Sequence, residues 1–228
     1  MIGKENSISA CYLLLASLID MDKIPSLIIL VADLDIENCV REVILRLQSS
    51  KEVLPFQFKI VRHPLRDPGC YSNPQEYLRS YLHSHQFGMV LLDRDGSGKE
   101  KEASDVIEST IASKLDRNGW MGRSACMVIE PEIENWLWVA SDAVAKILGW
   151  SEMSALRAYL ESNGFWPNDI SKPPKPKEAI QFAMRKSGTR FTPAIHQSIA
   201  AKASFKSCSS PSFQKFKDTI VHWYRENQ

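Results

Sequence analysis

The sequence predicts an α/β fold: a mainly parallel sheet sandwiched between helical layers, with a small helical part at the C-terminal end. Three observations lead there. Short continuous apolar runs recur along the chain and end in acidic residues, as buried parallel strands do. Stretches with apolar residues at helical spacing lie between them, as alternating strands and helices require. Beyond about Gly164 the acid-ended runs stop and a Pro/Lys-rich segment takes over. These shifts divide the chain into an N-terminal extension (1–25), an α/β domain (26–165), and a connector with a helical subdomain (166–228).

In order, Leu27 to Ala32 reads as the first strand, ending at Asp33, and Ile36 to Leu47 as an amphipathic helix. Phe56 to Val61 reads as a second strand, followed by a turn-rich segment, His63 to Cys70, and a helix from Pro74 to His83. Phe87 to Leu92 is a further apolar run, closing in Asp93-Arg-Asp95-Gly-Ser-Gly98. A helix is expected from Ala103 to Leu115, then a strand from Ala125 to Ile129 that runs into Glu130-Pro-Glu132-Ile-Glu134. Pro131 suits the first turn of a helix continuing to about Leu148.

Composition narrows the classes. The chain has 228 residues and carries 28 Lys+Arg against 27 Asp+Glu, a net charge of +1, so any nucleic-acid surface must be local. The five cysteines are scattered, without metal spacing, as in a reduced cytoplasmic protein. The apolar stretch Ala10 to Leu18 is stopped by Asp20, Asp22 and Lys23, too short for a span, so no membrane partner is expected. The tryptophans read as core or interface residues.

Parallel strands gather their carboxyl ends at one edge, where α/β proteins place their sites. Asp33, with Glu37 one turn on, would meet Asp93, Asp95, Glu130, Glu132 and Glu134 there. Carboxylates so crowded repel unless a divalent cation neutralises them, and Mg²⁺ or Mn²⁺ suits oxygen ligands. Asp33, Glu37, Glu132 and Glu134 equally suit the first turn of a helix, where anions complement the macrodipole. His63 and Arg66, in the Pro-rich turn, and Lys177, in the basic C-terminal set, are candidates to meet a phosphate. No P-loop, nucleophile elbow or His-Glu-x-x-His motif is present.

The acid after strand one with a second four residues on, the Asp-x-Asp, and the downstream acidic strand end resemble the Toprim fold in its OLD-nuclease-like variant. The whole body, about residues 27 to 224, more closely resembles small bacterial proteins of phage-defence loci, known from the methylation-associated defence system. The matching stretches are Leu30-Val-Ala-Asp33-x-x-x-Glu37, His63-Pro-x-Arg-Asp-Pro-Gly-Cys70, Leu92-Asp-Arg-Asp-Gly-Ser-Gly98 and Glu130-Pro-Glu-Ile-Glu-Asn-Trp-x-Trp138. Lys172-Pro-x-x-Pro-Lys-Glu-Ala179 and Ser204-Phe-x-x-Cys208 with Phe213 match as well. The Toprim motif opens with Glu-Gly, where this chain has Asp33-Leu34.

The resemblance implies antiviral defence in an assembly with other subunits encoded nearby, and admits a second copy of the chain. Two readings of the activity follow. In the first, the protein is a Mg²⁺- or Mn²⁺-dependent nuclease. Asp93, Asp95, Glu130, Glu132 and Glu134 hold metal, and Asp33, Glu37, His63, Arg66 and Lys177 serve catalysis. In the second it is a non-catalytic adaptor or sensor, for which the near-zero charge, Asp33-Leu34 and the apolar extension speak.

Overall fold

The computed structural model describes residues 26–192 and 194–225; the expected N-terminal extension lies outside them. Four strands, β1 (Ser26–Val31), β2 (Gln57–Arg62), β3 (Phe87–Asp93) and β4 (Ser124–Ile129), form an all-parallel sheet in the order β2-β1-β3-β4. Register pairs Ile29 with Ile60 on one side and with Met89 on the other, and Leu91 with Met127. Central β1 and β3 are buried almost throughout, whereas edge strand β2 alternates between exposed and half-buried. That difference explains why β1 and β3 are continuous apolar runs and β2 is not.

Helices cover both faces. The first, α1 (Leu34–Ser49), buries Ile36, Cys39, Val40, Val43, Ile44 and Leu47, one apolar stripe. Between β2 and β3 come α2 (Arg66–Ser72) and α3 (Pro74–Leu78), and between β3 and β4 comes α4 (Ser104–Leu115). Beyond β4 lie α5 (Glu134–Leu137), α6 (Asp142–Ile147), α7 (Met153–Ser162), α8 (Pro176–Ser187), α9 (Ala194–Lys202) and α10 (Pro211–Tyr224). Phe87 stacks on Trp223 of α10 at 4.5 Å, while the next residue, Gly88, lies beneath Trp120 at the end of α4. Successive strand residues face opposite ways, so α10 and α4 lie on opposite faces. A groove lined by Val43 and Leu47 of α1 and by Phe213 and Lys217 of α10 puts α1 on the α10 face.

The C-terminal helices share one hydrophobic core with the sheet. Trp136 packs edge-on against Phe213 and donates its indole N–H to Ser212 Oγ at 2.9 Å. Trp138 donates to the Pro176 carbonyl at 3.0 Å, fixing the start of α8. Trp120, Trp136, Trp138 and Trp166 are all buried, as core residues should be.

Two segments depart from expectation. The helix expected from Pro131 to Leu148 is two: α5 stops at Trp138, whose ψ is 80°, and Ser141 caps α6 by accepting the Ala143 N–H. The turn expected over His63 to Cys70 contains helix α2 from Arg66 onward. Proline is tolerated in a first helical turn, which accommodates Pro68. Gly69 is needed because the buried His63 ring lies against it, and a Cβ there would sit 2.0 Å from His63 Nδ1. Gly69→Ala is therefore expected to destabilise the protein by about 1–3 kcal/mol. A lower urea midpoint at unchanged slope would show it.

Candidate metal centre at the carboxyl edge of the sheet

The chain adds β2 on one side of β1 and then β3 on the other. The connections leave β1 and β3 for opposite faces, so a crevice opens beyond their carboxyl ends, where ligands bind in such sheets. Asp33 and Asp35 follow β1, Asp93 closes β3, and Glu132 and Glu134 follow β4. The sheet alone thus gathers the acids.

Glu134 is fully buried. Its Oε1 lies 3.0 Å from His196 Nε2 and 3.4 Å from Lys177 Nζ, so α9 and α8 bring it two cations. Burial opposes its charge, but His196 and Lys177 outweigh that and hold the carboxyl below its ordinary 4.5. Burial likewise opposes protonation of His196, yet Glu134 and Asp35 keep its pKa raised. His196 Nδ1 stands 3.3 Å from Asp35 Oδ1 without hydrogen-bond alignment. One ligand atom each from Asp35, Glu134 and His196 lie within 4.8 Å of one another. This cluster can hold a metal ion.

Asp93 is 8 % exposed, and its backbone N–H donates to Asp67 Oδ1 at 2.8 Å. Burial first, then the charges of Asp67, Glu134, Asp33 and Glu132, push its carboxyl well above the ordinary range. Burial also raises Asp67, opposed by the Asp93 amide and supported by Asp33, to about 6. Asp35 and Glu132 are raised, again chiefly by burial. Three buried atoms here make no hydrogen bond: Asp93 Oδ1, Glu134 Oε2 and His196 Nδ1. Buried polar atoms normally have partners, and three orphans among acids that interact with one another fit a cation's donor set.

Of the acids expected from sequence, Asp33, Asp93, Glu132 and Glu134 come together. Asp33 Oδ1 also caps α1, accepting the N–H groups of Asp35 and Ile36 at 3.0 Å each. Glu132 accepts the Lys177 N–H at 2.9 Å. Asp95 is exposed at the rim, near enough for its charge to raise Glu132. Glu130 is exposed and bonded to Arg94 and to Ser104 Oγ, so it stands outside the cluster. Glu37 pairs with Arg41 at 2.8 Å and Arg62 at 3.2 Å. Lys177 meets Glu134 rather than standing free for a phosphate. His63 accepts the Leu65 N–H at Nδ1 and meets Asn73 Oδ1 through Nε2, so both ring nitrogens are engaged. It props the 64–66 turn and leaves no nitrogen for a reacting group.

No family model, curated protein or solved structure matches the chain. Among the described residues no helix is long and apolar enough to cross a membrane.

Asp35, Asp67 and His196 extend the expected set. Nothing in the sequence singles out Asp35, a first-turn acid of α1, and Asp67 stands beside Arg66, a ready ion-pair partner. His196 did carry a signal, since it sits among Ile195, Ile199 and Ala200 on the buried side of its helix.

The shifts set a pH dependence. Asp67 and Asp93 have raised folded pKa values, so the fold binds protons more tightly than the unfolded chain does. Their stabilisation is present at low pH and fades as pH rises through the folded values, from about pH 4 to about 6 for Asp67. Raised His196 acts in the same sense above its ordinary 6.5. Lowered His63 and His85 work the other way below 6.5, but the raised Asp35, Asp67, Asp93, Glu132 and His196 outnumber them, so metal-free protein should melt at a lower temperature at about pH 7 than at about pH 5. Asp93→Asn, which removes a buried ionisable group, should raise stability at neutral pH by about 1 kcal/mol. Thermal melts across pH in chelator check both.

Proposed function

We propose that the chain is a divalent-metal-dependent phosphodiesterase acting on nucleic acid, DNA or RNA, with a Toprim-like sheet edge. Its setting is antiviral defence of the kind its motifs resemble, alongside other subunits of such a system. The observation that carries the reading is the set of buried, unpartnered Asp93, Glu134 and His196 atoms beside Asp35. A histidine nitrogen in that set favours Mn²⁺ over Mg²⁺, which prefers an all-oxygen octahedron.

A cation held there would supply Lewis-acid charge for the phosphodiester oxygens. The chain's own residues do the rest. Asp35, Glu134 and His196 would hold the cation, with Asp93 next to them, and His196 would release the Nδ1 proton that it carries as a counter-charge in the metal-free protein. Asp67, with a pKa of about 6 and half-buried at the same edge, suits proton transfer near neutral pH. Asp33 stays pinned at the head of α1.

One observation favours the non-catalytic adaptor instead. Lys177 and His196 already compensate Glu134, so the acid edge has cations of its own. Calorimetry with Mn²⁺ and Mg²⁺ separates the two readings. The enzyme reading expects wild type to bind Mn²⁺ more tightly than Mg²⁺, His196→Gln to lose that preference, and Asp93→Asn to lose cleavage of labelled DNA or RNA. A folded wild type that takes up neither ion, and Asp93→Asn that still protects cells from phage, would leave the adaptor.

A further inference from the structure

A cleft of about 770 Å³ runs along the carboxyl ends of β1 and β2. Asp33 and Asp35 line one side, so it opens directly onto the candidate metal centre. Arg62, Arg66 and Lys177 also line it, and Leu34, Ile60 and Pro64 supply apolar wall. Acid, cation and apolar surface in one cleft is the lining a nucleotide calls for: phosphate, sugar and base each meet their own kind of surface.

The cations are not equivalent. Arg62 is held by Glu37, and Lys177 by Glu134. The Arg66 guanidinium makes no hydrogen bond or ion pair among the described residues, and its side chain is exposed at the cleft. Its backbone sits at φ 51°, a conformation that disfavours a side-chain-bearing residue. The neighbouring turn is fixed by His63, which accepts the Leu65 N–H, and by Gly69 beneath the His63 ring. An arginine with no side-chain hydrogen bond, its charge acting on Asp67 beside it, on a strained, braced turn next to a metal centre has the features of a ligand clamp.

Depth decides which nucleic acid fits. Asp35, the member of the metal cluster that lines the cleft, is 20 % exposed, and Glu134 and His196 lie behind it at 0 %, so a phosphate reaches the centre only by entering the cleft. A duplex holds its phosphates on a convex surface and its bases inside, and cannot lower one strand alone. An unpaired strand, or a strand end, enters with its bases splayed onto apolar wall.

We propose that this cleft seats an unpaired nucleic-acid strand, with a phosphate neighbouring the reacting one held by Arg66. This rests on the phosphodiesterase reading for what happens at the metal centre, but not for the binding itself. Fluorescence anisotropy on the full chain tests it, with labelled oligothymidylate and a dumbbell duplex closed at both ends. The unpaired strand should bind at least about tenfold more tightly than the dumbbell. Arg66→Gly should weaken strand binding about tenfold, the size of one charge-assisted fork. Its melting temperature should not fall, since glycine adopts that φ freely. Arg66→Lys should recover part of the affinity, keeping the charge without the fork. Equal binding of the dumbbell, undiminished affinity in Arg66→Gly, or no binding of the strand would each overturn the assignment. Strand binding that depends on Arg66 in a protein that takes up no Mn²⁺ would sink the metal reading and leave the cleft standing. Mn²⁺ uptake without strand binding would do the reverse.

Discussion

A carboxylate removed from water must be met by positive charge, and Glu134 makes that demand at the centre of this molecule. His196 and Lys177 meet it, and both come from helices that the chain makes well after the sheet. The demand organises the C-terminal third. It fixes α9 over the sheet edge through His196 and α8 through Lys177, whose amide also reaches Glu132. The Trp138 bond to the Pro176 carbonyl and the Trp136 contacts with α10 reinforce that placement with apolar burial. Electrostatics chooses where these helices sit, and packing holds them there.

The sheet's connectivity supplies the other half. With β1 flanked by β2 and β3, the acids that follow β1, β3 and β4 converge without any special loop. Convergence alone would be unfavourable, and the raised pKa values of Asp35, Asp67, Asp93 and Glu132 record burial first and the remaining repulsion second. The edge is thus stabilised at Glu134 and frustrated a few residues away, at Asp93. Such a division leaves a site ready for added positive charge while the fold around it is secure.

Strands β1, β3 and β4 were legible because parallel strands buried on both faces leave continuous apolar runs ending where the sheet ends. Asp33, Asp93, Glu132 and Glu134 were legible for the same reason. The rest depended on contacts between distant parts of the chain. His196 is far from the acids in sequence, and only folding shows that it faces Glu134 and Asp35. Asp67 feels the charge of Arg66 beside it, but its carboxylate accepts the N–H of the distant Asp93. His63 read as a reactive loop histidine because sequence does not reveal that Leu65 and Asn73 engage both its nitrogens. The break after α5 is not legible because the backbone of Trp138 leaves the helix and the Ser141 side chain caps the next one, neither of which periodicity registers.

The order of the cations along the chain has a consequence for biosynthesis. Translation delivers Asp33, Asp93, Glu132 and Glu134 before it delivers Lys177, and His196 later still. A nascent chain paused between α6 and α8 therefore presents an acid edge with neither of its own counter-charges and with Trp136 and Trp138 uncovered. Domains fold as units once their parts are available. Here the sheet becomes a finished unit only when its C-terminal helices leave the ribosome, so the acid edge matures last.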